Sequence, residues 1–434
     1  MKISLFYELQ LPRPWEDNSE ERLIHEAIEQ IELADRLGFH TVWEVEHHFL
    51  EEYSHSSAPE TFLAALSQRT KNIRLGHGIA SILPAYNHPA RLVERASMLD
   101  LLSGGRVEFG MGESTTKAEL FGFGATLEEK SEIFDQVVRE IPKMFAESPY
   151  PGFSGKHFSM PPRNIIPKSK QKPHPPLWMA CSNITKIEQA AKMGVGALHF
   201  AFANPESARK LVGAYYEAME NESVPVGYSV NPNVVVNVGY HMHKSEQTAL
   251  ERGMDGVQFF AYSLLHFAYF GEHRPGVTDV YAEFERNRGS LGLGRGSVKA
   301  SGRDLSIVKS TPAEEELERS VPFLQPGALQ ALRGAVGSVD QVRNYLRAYE
   351  AVGVDEVMFN AQHGKTKHED IMESLELFGR EIMPEIRDRD EKNAAQKAAL
   401  TARISEKALA RREKVVESPD HLVEATRGPI RPLA

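Results

Sequence analysis

The chain has 434 residues, of which 41% are hydrophobic and 25% are charged, as in an ordinary globular protein. Its formal net charge of −10 predicts neither a nucleic-acid partner nor binding to an anionic membrane, because both need clustered lysine and arginine. The single cysteine, Cys181, excludes an internal disulfide and fits a reducing compartment. Neither a signal peptide nor a membrane-spanning run is predicted, so we expect a cytoplasmic protein.

Short apolar runs alternate with longer helical patterns along the chain. Eight strands in alternation with helices predict an α/β fold in which a parallel sheet closes into a (β/α)8 TIM barrel, with an open, doubly wound sheet as the alternative. The runs are mostly apolar, as expected for strands that are buried on both faces. The predicted strands occupy residues 2–9, 40–48, 72–81, 105–114, 176–183, 194–202, 231–243 and 354–362.

Two segments depart from this alternation of strand and helix. Residues 270–335 are rich in glycine, arginine and serine, and we interpret them as an insertion before the last strand, a mobile excursion near the functional face. Residues 388–434 form a charged, alanine-rich tail, which is either a helix lying on a neighbouring element or a partly disordered segment. The sequence therefore predicts one barrel domain over residues 1–387, followed by a C-terminal tail.

Side chains capable of acid–base chemistry are concentrated at the predicted strand ends. In a (β/α)8 barrel the functional site lies at the carboxyl-terminal ends of the strands. Any single histidine there is more often structural than catalytic, but packing alone does not predict so many of them. The candidates at these ends are Glu8, Glu46, His47, His48, His77, Glu113, Ser114, Ser182, Asn183, His199, His241, His243, Asn360 and His363.

The run Glu46-His47-His48 ends the second predicted strand and forms a cluster of three titratable groups. Adjacent residues of a strand point to opposite faces, so His47 and His48 are poorly placed to chelate one metal ion. His241 and His243 share a face, but they lie on the seventh strand, whereas an amidohydrolase carries its His-x-His pair on the first. A metal-dependent TIM-barrel hydrolase is therefore a minor alternative, and no metal ligand is predicted.

Two further stretches indicate where a ligand approaches. Gly110 and Gly112 fall within the fourth strand, and glycine inside a strand often marks the close approach of a ligand or of another backbone. The stretch lacks the GxGxxG fingerprint, so it does not support a dinucleotide-binding fold. Ser182, Asn183 and Thr185 follow the fifth strand at a helix start, where hydroxyls, an amide and free N–H groups can bind an anion.

Four stretches of the chain together resemble the bacterial luciferase-like flavin-dependent monooxygenases. They are WEVEHHF after the first helix, IRLGHGIASILPAYNHPARLVERASMLDLLSGGRVEFGMG from residue 73, CSNIT after the fifth strand, and GSVDQVRNYLRAYEAVGVDEVMF near the end. SLELFGREIMPEI is similar to the closing helix of that family. The resemblance covers roughly residues 1–387 in order, with 270–335 poorly matched. The resemblance is specific because the Glu-His-His-Phe run occurs together with the segment LDLLSGGR, which leads into the fourth strand.

The resemblance implies a catalytic role for His47 beside a flavin. The histidine in this place assists oxygen chemistry in the family, and Glu46 and His48 are expected to orient it or to complete the pocket wall. The implied cofactor is reduced flavin mononucleotide (FMNH2), which captures the co-substrate O2 as a C4a-peroxide that oxygenates an aldehyde, a ketone or another acceptor. A neutral imidazole beside this adduct can exchange a proton near neutral pH.

The same resemblance implies which residues hold the cofactor. The phosphate is expected on Ser182, Asn183 and Thr185. A cis peptide bond is expected under the flavin ring, between Gly78 and Ile79. Gly112 and Glu113, at the end of the fourth strand, complete the predicted cofactor-binding set.

One departure from the family bears on the identity of the cofactor. Luciferase has a reactive cysteine followed by an arginine where this chain has Gly112 and Glu113, so one cationic contact to the phosphate is missing. The luciferase reaction itself is therefore less strongly implied. A deazaflavin (F420), which other branches of the family bind, remains an alternative cofactor for a hydride-transfer oxidoreductase. A non-catalytic flavin-binding protein is a further alternative.

The substrate is not specified, but its general character and the partners are implied. The predicted pocket wall, with Tyr7, Trp43, Phe200, Phe202 and parts of residues 260–330, is apolar and aromatic and suits a small hydrophobic organic substrate. Since no nicotinamide fingerprint is visible, we expect a separate NAD(P)H:flavin reductase to supply the reduced flavin. Barrels of this family usually pair through helices beside the early strands, so a homodimer is also expected.

Overall fold

The computed structural model has a closed ring of parallel strands at its centre. It describes residues 1–200, 203–291, 293, 298–300, 302, 304–306, 316, 319, 332–412 and 420–423. In chain order the strands among them are β1 (Lys2–Tyr7), β2 (Thr41–Glu44), β3 (Arg74–Ser81), β4 (Val107–Gly112), β5 (Phe153–Ser154), β6 (Ser159–Met160), β7 (Leu177–Cys181), β8 (Gly196–His199), β9 (Val234–His243), β10 (Ala335–Ser338) and β11 (Glu356–Asn360). The ring runs β9-β11-β1-β2-β3-β4-β7-β8 and closes where β8 pairs with β9.

The eight predicted strands are the eight strands of this ring, so the (β/α)8 barrel is confirmed and the open, doubly wound sheet is wrong. Each observed strand lies within its predicted range. The largest difference concerns the prediction over residues 40–48, where the strand ends at Glu44 and the Glu-His-His run follows it as loop. Apolar patterning marks where a strand lies but not where its ladder of hydrogen bonds ends.

Helices surround the ring and connect its strands. The face of α1 that carries Ala27, Ile31 and Ala34 is fully buried, as its helical spacing of apolar residues requires, and Gly38 ends the helix at φ 80°. A π-helical turn over His266–Phe270 extends α9. The helices that lie wholly within the described residues are α1 (Ser19–Leu37), α2 (Pro59–Arg69), α3 (Pro89–Leu102), α4 (Lys117–Gly122), α5 (Lys130–Val137), α6 (Ile141–Ala146), α7 (Ile184–Lys192), α8 (Pro205–Asn221), α9 (Glu246–Leu265), α10 (Val280–Asn287), α11 (Val339–Ala351), α12 (His368–Glu381) and α13 (Met383–Leu409).

Two pairings that the sequence did not predict lie outside the ring. β5 and β6 form a short antiparallel hairpin between the fourth and fifth ring strands. β10 lies parallel to the outer end of β9, beginning where Ala335 faces Tyr240. At two and four residues, these elements are too short to carry a recognisable alternation of apolar and polar residues.

The interior of the ring is filled by two tryptophans that face two glycines. The rings of Trp43 and Trp178 meet edge to face, with their centroids 5.3 Å apart. A Cβ on Gly76 would lie 2.3 Å from the Trp43 ring, and one on Gly196 would lie 2.2 Å from the Trp178 ring. Small residues opposite large ones therefore let the barrel close around a packed core rather than a pore.

The C-terminal helix α13 packs on the outside of the barrel. It contacts α8 and α12, and its residues Ile404 and Ala408 are buried, with Leu400 partly buried beside them. The helix crosses position 387 without a break, while the division into a barrel domain and a tail stays a prediction. Within the described part of the chain, no helix combines the length and the apolar character needed to cross a membrane.

Candidate active site

His47 lies at the carboxyl-terminal mouth of the barrel, just after β2. Its ring nitrogen Nδ1 donates to Oε1 of Glu119 over 2.9 Å. Glu119 is held in turn by the hydroxyls of Thr116 (2.6 Å) and Ser114 (3.0 Å) and by the backbone N–H of His48 (3.1 Å). A carboxylate that accepts so many hydrogen bonds stays ionised, which fixes the orientation of the imidazole and the proton on Nδ1.

A second carboxylate faces the other side of the same imidazole. Oε2 of Glu8 lies 3.7 Å from Nε2 of His47, and Oε1 of Glu8 accepts the hydroxyl of Tyr53 over 2.8 Å. Glu8 follows β1, and its side chain is 2% exposed, whereas that of His47 is 22% exposed. The mouth therefore contains a row of titratable groups in the order Glu119, His47, Glu8 and Tyr53.

The charges of this row perturb one another. Burial opposes charge on His47, but Glu119 and Glu8 outweigh it and raise the pKa of His47 to about 9. Burial raises the pKa of Glu8 to about 7, against the lowering effect of His47. Burial also opposes the charge of Glu119, but the charge of His47 and the hydrogen bonds prevail and hold its pKa below the usual value. With its pKa raised to about 9, His47 is expected to carry a proton on each nitrogen at pH 7, while the neutral imidazole expected beside the flavin adduct stays a prediction.

Glu46 and His48 lie beside His47 but point elsewhere. Glu46 accepts the backbone N–H of Ser81 (2.8 Å) and the amide of Asn87 (2.7 Å), and so ties the loop after β2 to the end of β3. Nε2 of His48 lies 3.3 Å from Oε1 of Glu46. The ring of His48 also packs edge-on against Phe123 at 4.8 Å. In this geometry both residues build the wall around His47, while its orientation comes from Glu119.

The ends of β3 and β4 are shaped by close packing of backbone and side chains. The peptide bond between Gly78 and Ile79 is cis, as the family resemblance implied. The β3–β4 pairing shifts register there, and a Cβ on Gly110 would lie 2.2 Å from the carbonyl oxygen of His77. A Cβ on Gly112 would lie 2.4 Å from Cδ1 of Ile79. The glycines predicted the close approach of a ligand or of another backbone. At Gly110 the close neighbour is the backbone of His77, and at Gly112 it is the side chain of Ile79.

Positive charge gathers at the start of α7, where the anion site was predicted. Ser182 and Thr185 are exposed, while Asn183 uses its side chain to cap the helix by accepting the N–H of Lys186 over 3.0 Å. Nζ of Lys186 lies 3.2 Å from Oε1 of Glu113, and Nζ of Lys130 lies 3.7 Å from the same oxygen. Two lysines therefore stand where the family comparison suggested that a cation was missing.

An apolar wall closes the inner side of the mouth. Its buried members include Phe6, Val45 and Phe260, and the partly buried Phe200 packs against them. The expectation that Tyr7 belongs to this wall is wrong, because Phe6 points into the barrel and Tyr7 points out, where it donates to Gln30 of α1 over 2.9 Å. Trp43 faces inward, within the same cluster, and Phe202 lies outside the described residues.

Most of the other predicted strand-end histidines do not reach this site. Nδ1 of His199 lies 3.1 Å from the carbonyl of Cys181, and His243 lies 3.6 Å from a carboxylate oxygen of Glu373. Burial lowers the pKa values of His77 and His363 to about 4 and that of His241 to about 3, so these three are expected to be neutral at pH 7. Among the residues described, no three histidine, cysteine, aspartate or glutamate side chains are placed to hold a metal ion.

Sequence reasoning missed four residues of the site: Glu119, Tyr53, Lys130 and Lys186. Thr116-x-x-Glu119 has the spacing of a helix-capping box, which signals a helix start but not a contact with a histidine 72 residues earlier. Tyr53 lies five residues after His48, yet no spacing rule links it to Glu8. The two lysines had no signal that set them apart from surface lysines.

Comparison with known proteins places this arrangement in a family. The sequence profile of the family described as luciferase-like monooxygenase matches residues 6–356. The protein belongs to the luciferase-like monooxygenase family. The resemblance seen in the sequence, and the oxidoreductase class that it implied, are thereby confirmed.

Relatives of this luciferase-like monooxygenase include the oxygenase component of the flavin-dependent trigonelline monooxygenase of Acinetobacter baylyi. It is 26% identical over 393 residues, which span 88% of this chain and 95% of the relative. Two solved structures share the fold. The oxygenating constituent of 3,6-diketocamphane monooxygenase of Pseudomonas putida, in complex with FMN, has a TM-score of 0.62 at 16% identity and covers 88% of this chain and 98% of its own. An F420-dependent secondary alcohol dehydrogenase has a TM-score of 0.60 at 13% identity with the same coverage.

Proposed function

We propose that this luciferase-like monooxygenase uses reduced FMN and O2 to oxygenate a small hydrophobic compound such as an aldehyde or a ketone. The observation that carries the proposal is the imidazole of His47, held at the barrel mouth between Glu119 and Glu8 and bordered by an apolar wall. An acid in a sheltered apolar site suits the activation of oxygen, which needs protons and little water.

The residues at the start of α7 fit the phosphate of FMN. A phosphate dianion needs cations, hydroxyls and free N–H groups, and this corner offers Lys130, Lys186, Ser182 and Thr185 beside a helix N-terminus. Glu113 lies between the two lysines and neutralises part of their charge in the unliganded protein. We therefore assign the phosphate to this corner and expect the lysines to turn from Glu113 towards it.

The wall of the mouth fits the flavin ring. The inward-facing residues Phe6, Val45 and Ile79 offer apolar surface to a flat aromatic system. When bound, the reduced flavin supplies the electrons that activate O2, so that one oxygen atom passes to the substrate and the other leaves as water. The protein must exclude water, hold the two molecules together and provide protons.

The proton chemistry is assigned to the row around His47. Glu119 keeps the Nδ1 proton in place and the ring in one orientation. The second proton, on Nε2, is the one that can move, because that atom faces Glu8 and the interior. Glu46 anchors the loop that carries His47 to the end of β3, so the ring and the proposed flavin wall keep a fixed separation.

A separate reductase and a homodimer complete the proposal. The trigonelline enzyme of Acinetobacter baylyi is named as an oxygenase component, which supports delivery of reduced flavin by a second protein. On α3 the side chains of Met98, Leu101 and Leu102 are 49%, 45% and 49% exposed, and an apolar surface of this kind is typical of a subunit contact. A dimer should therefore be seen by light scattering at micromolar concentration, and substitution of Leu101 and Leu102 by Glu should weaken it.

Anaerobic titration tests the cofactor assignment. Reduced FMN is titrated against the wild type and against the double variant Lys130→Met, Lys186→Met. Loss of two charged hydrogen bonds to phosphate should weaken binding by about 3–6 kcal/mol in total, or at least roughly 100-fold. Lys192→Met is the matched control, since it removes a lysine of the same helix at the opposite end, 2.9 Å from Glu222.

The reaction itself is tested with isotopic oxygen. Protein loaded with reduced FMN is mixed with ¹⁸O2 and a panel of hydrophobic aldehydes and ketones, and the label is expected in the product. Binding of F420 in preference to FMN, with hydride transfer and no label in the product, would instead establish the deazaflavin alternative. Equal FMN affinity of wild type and the double lysine variant would contradict the phosphate assignment.

A further inference from the structure

The two nitrogens of His47 are both directed at carboxylates, which raises the question of which group meets the bound molecule. Nδ1 is bonded to Glu119, and Nε2 faces Oε2 of Glu8. A proton leaving Nε2 along this line reaches Glu8 first. On the inner side of His47, the first titratable group of the row is therefore the carboxyl group of Glu8, which the hydroxyl of Tyr53 supports.

Glu8 is placed to act on a molecule in the mouth but not on solvent. It directly follows β1, whose Phe6 faces the barrel interior, and the Tyr53 ring that donates to it packs 5.5 Å from Phe260 of the apolar wall. Its side chain is 2% exposed, and Oε2 has no hydrogen-bond partner among the described residues. A buried carboxylate oxygen without a hydrogen bond is costly, and the ion pair with His47 at 3.7 Å offsets only part of that cost.

We propose that Glu8 is the group that exchanges a proton with the molecule bound in the mouth, and that His47 supplies and recovers this proton through Nε2. The identity of that molecule, flavin or substrate, rests on the proposed function; the path of the proton does not. His47 is then the link to water, because its side chain is 22% exposed.

The proton moves along this path in three transfers. The O–H bond of protonated Glu8 breaks as the proton passes to the bound molecule. The Nε2–H bond of His47 then breaks, and its proton neutralises the carboxylate of Glu8. The imidazole is then neutral: it keeps the proton on Nδ1, which stays hydrogen-bonded to Glu119, and it regains the proton on Nε2 from water.

The charges that face Glu8 leave its proton within reach at neutral pH. Burial favours the protonated form, while His47 and the hydroxyls of Tyr53 and Ser54 favour the carboxylate, and the balance places the pKa of Glu8 at about 7. Glu119 adds to the protonated side. A group that titrates there can both give and take a proton in one cycle.

Infrared difference spectroscopy on the full-length protein without cofactor tests the proposal independently of any activity. Between pH 5 and 9 the wild type should lose one protonated-carboxyl band with a midpoint near 7, and Glu8→Gln should lack that change. Glu44→Gln is the matched control, because Glu44 is equally buried but lies outside the barrel wall, bonded to Ser56. The titrating band should persist in this control. A wild type without the band, or a Glu8→Gln variant that keeps it, would overturn the proposal.

Two further variants keep the test decisive if Glu8→Gln does not fold. Tyr53→Phe removes the hydroxyl that stabilises the carboxylate of Glu8, so the infrared midpoint should move upward; an unshifted midpoint counts against the assignment. With loaded enzyme, Glu8→Gln should slow turnover by roughly 10²-fold or more at unchanged flavin affinity, with partial recovery in Glu8→Asp. If Glu8→Gln turns over within a few-fold of the wild-type rate, the role of Glu8 is refuted. If the wild type itself does not bind flavin, the proposed function is refuted instead.

Discussion

The two ends of the barrel differ in how their buried polar groups are paired. We call the amino-terminal end of the ring strands the base and their carboxyl-terminal end the mouth. At the base, the guanidinium of Arg74 is bonded to Glu108, which also accepts the indole N–H of Trp178 over 2.6 Å. The indole of Trp43 donates to Glu356 over 2.8 Å. At the mouth, within the part of the chain that the structure describes, Oε2 of Glu8 and the side-chain oxygens of Asn237 and Asn360 lack hydrogen-bond partners.

This difference distinguishes the residues that stabilise the barrel from those expected to take part in its chemistry. Buried polar groups are normally paired, so the satisfied base contributes to a unique, stable core. The three oxygens without hydrogen-bond partners at the mouth carry a desolvation cost, which a ligand that bonds to them would remove. Substitutions at the base should therefore change stability, and substitutions at the mouth should change chemistry.

The largest effect is expected for His47→Ala at the mouth. Removing a positioned acid should lower turnover by roughly 10²–10⁴-fold while the protein stays folded and binds flavin. Product and hydrogen peroxide are measured at saturating reduced FMN, and the variant should release peroxide in place of product. His40→Ala is the control at the base, where the ring lies 3.2 Å from Glu356. Normal coupled turnover in His47→Ala would end the catalytic assignment.

At the base, Arg74→Met should act on stability alone. It leaves the buried carboxylate of Glu108 without its cation, which typically lowers the free energy of unfolding by about 3–5 kcal/mol. Urea unfolding measures the loss, and adding Glu108→Gln in the same chain should restore part of it. Flavin affinity per folded molecule should stay at the wild-type value. A selective loss of flavin binding would show that base and mouth are not independent.

The raised pKa of His47 makes stability depend on pH in a definite direction. A histidine whose pKa rises from 6.5 to about 9 on folding stabilises the protein fully below pH 6.5, and this contribution disappears as the pH rises to 9. The wild type should therefore lose up to about 3 kcal/mol of unfolding free energy relative to His47→Gln between these two pH values. Parallel stability curves for the two proteins would contradict the assigned charge of His47.

The smallest contrast compares two glycines. Gly76→Ala places a methyl group 2.3 Å from the rigid ring of Trp43, so it should cost about 1–3 kcal/mol of stability. Gly112→Ala meets the flexible end of Ile79 at 2.4 Å, so it should cost less, about 1 kcal/mol, and should weaken flavin binding by disturbing the wall. Thermal unfolding and flavin titration of both variants separate the effects. The reverse order of stability losses would count against this comparison.

The sequence predicted the barrel because parallel strands buried on both faces read as apolar runs separated by helical patterns. The same burial hid which residues face inward. In β1 all residues after Lys2 are buried, so the pattern alone does not distinguish Tyr7, which points out, from Phe6, which points in. Packing against distant elements decides the register of the strand and which of its side chains point inward. The sequence of a single strand does not contain this information.

The candidate site was predicted in part for a related reason. His47 stood in a recognisable run, but the partners that set its charge come from other parts of the chain, with Glu8 at the end of β1 and Glu119 in α4. The pKa of an isolated histidine, about 6.5, does not apply to His47, because two carboxylates converge on its ring. Lys130 and Lys186 likewise become a pair only after folding brings both within 4 Å of Glu113.

We expect the mouth to hold His47 as a protonated imidazole between Glu119 and Glu8. Nuclear magnetic resonance of the full-length protein with ¹⁵N-labelled histidine, assigned with His47→Gln, measures this directly. Both ring nitrogens of His47 should stay protonated through pH 7, the ring should titrate near pH 9, and Glu119→Gln should lower this midpoint. A midpoint at or below 6.5 in the wild type, unchanged by Glu119→Gln, would contradict it.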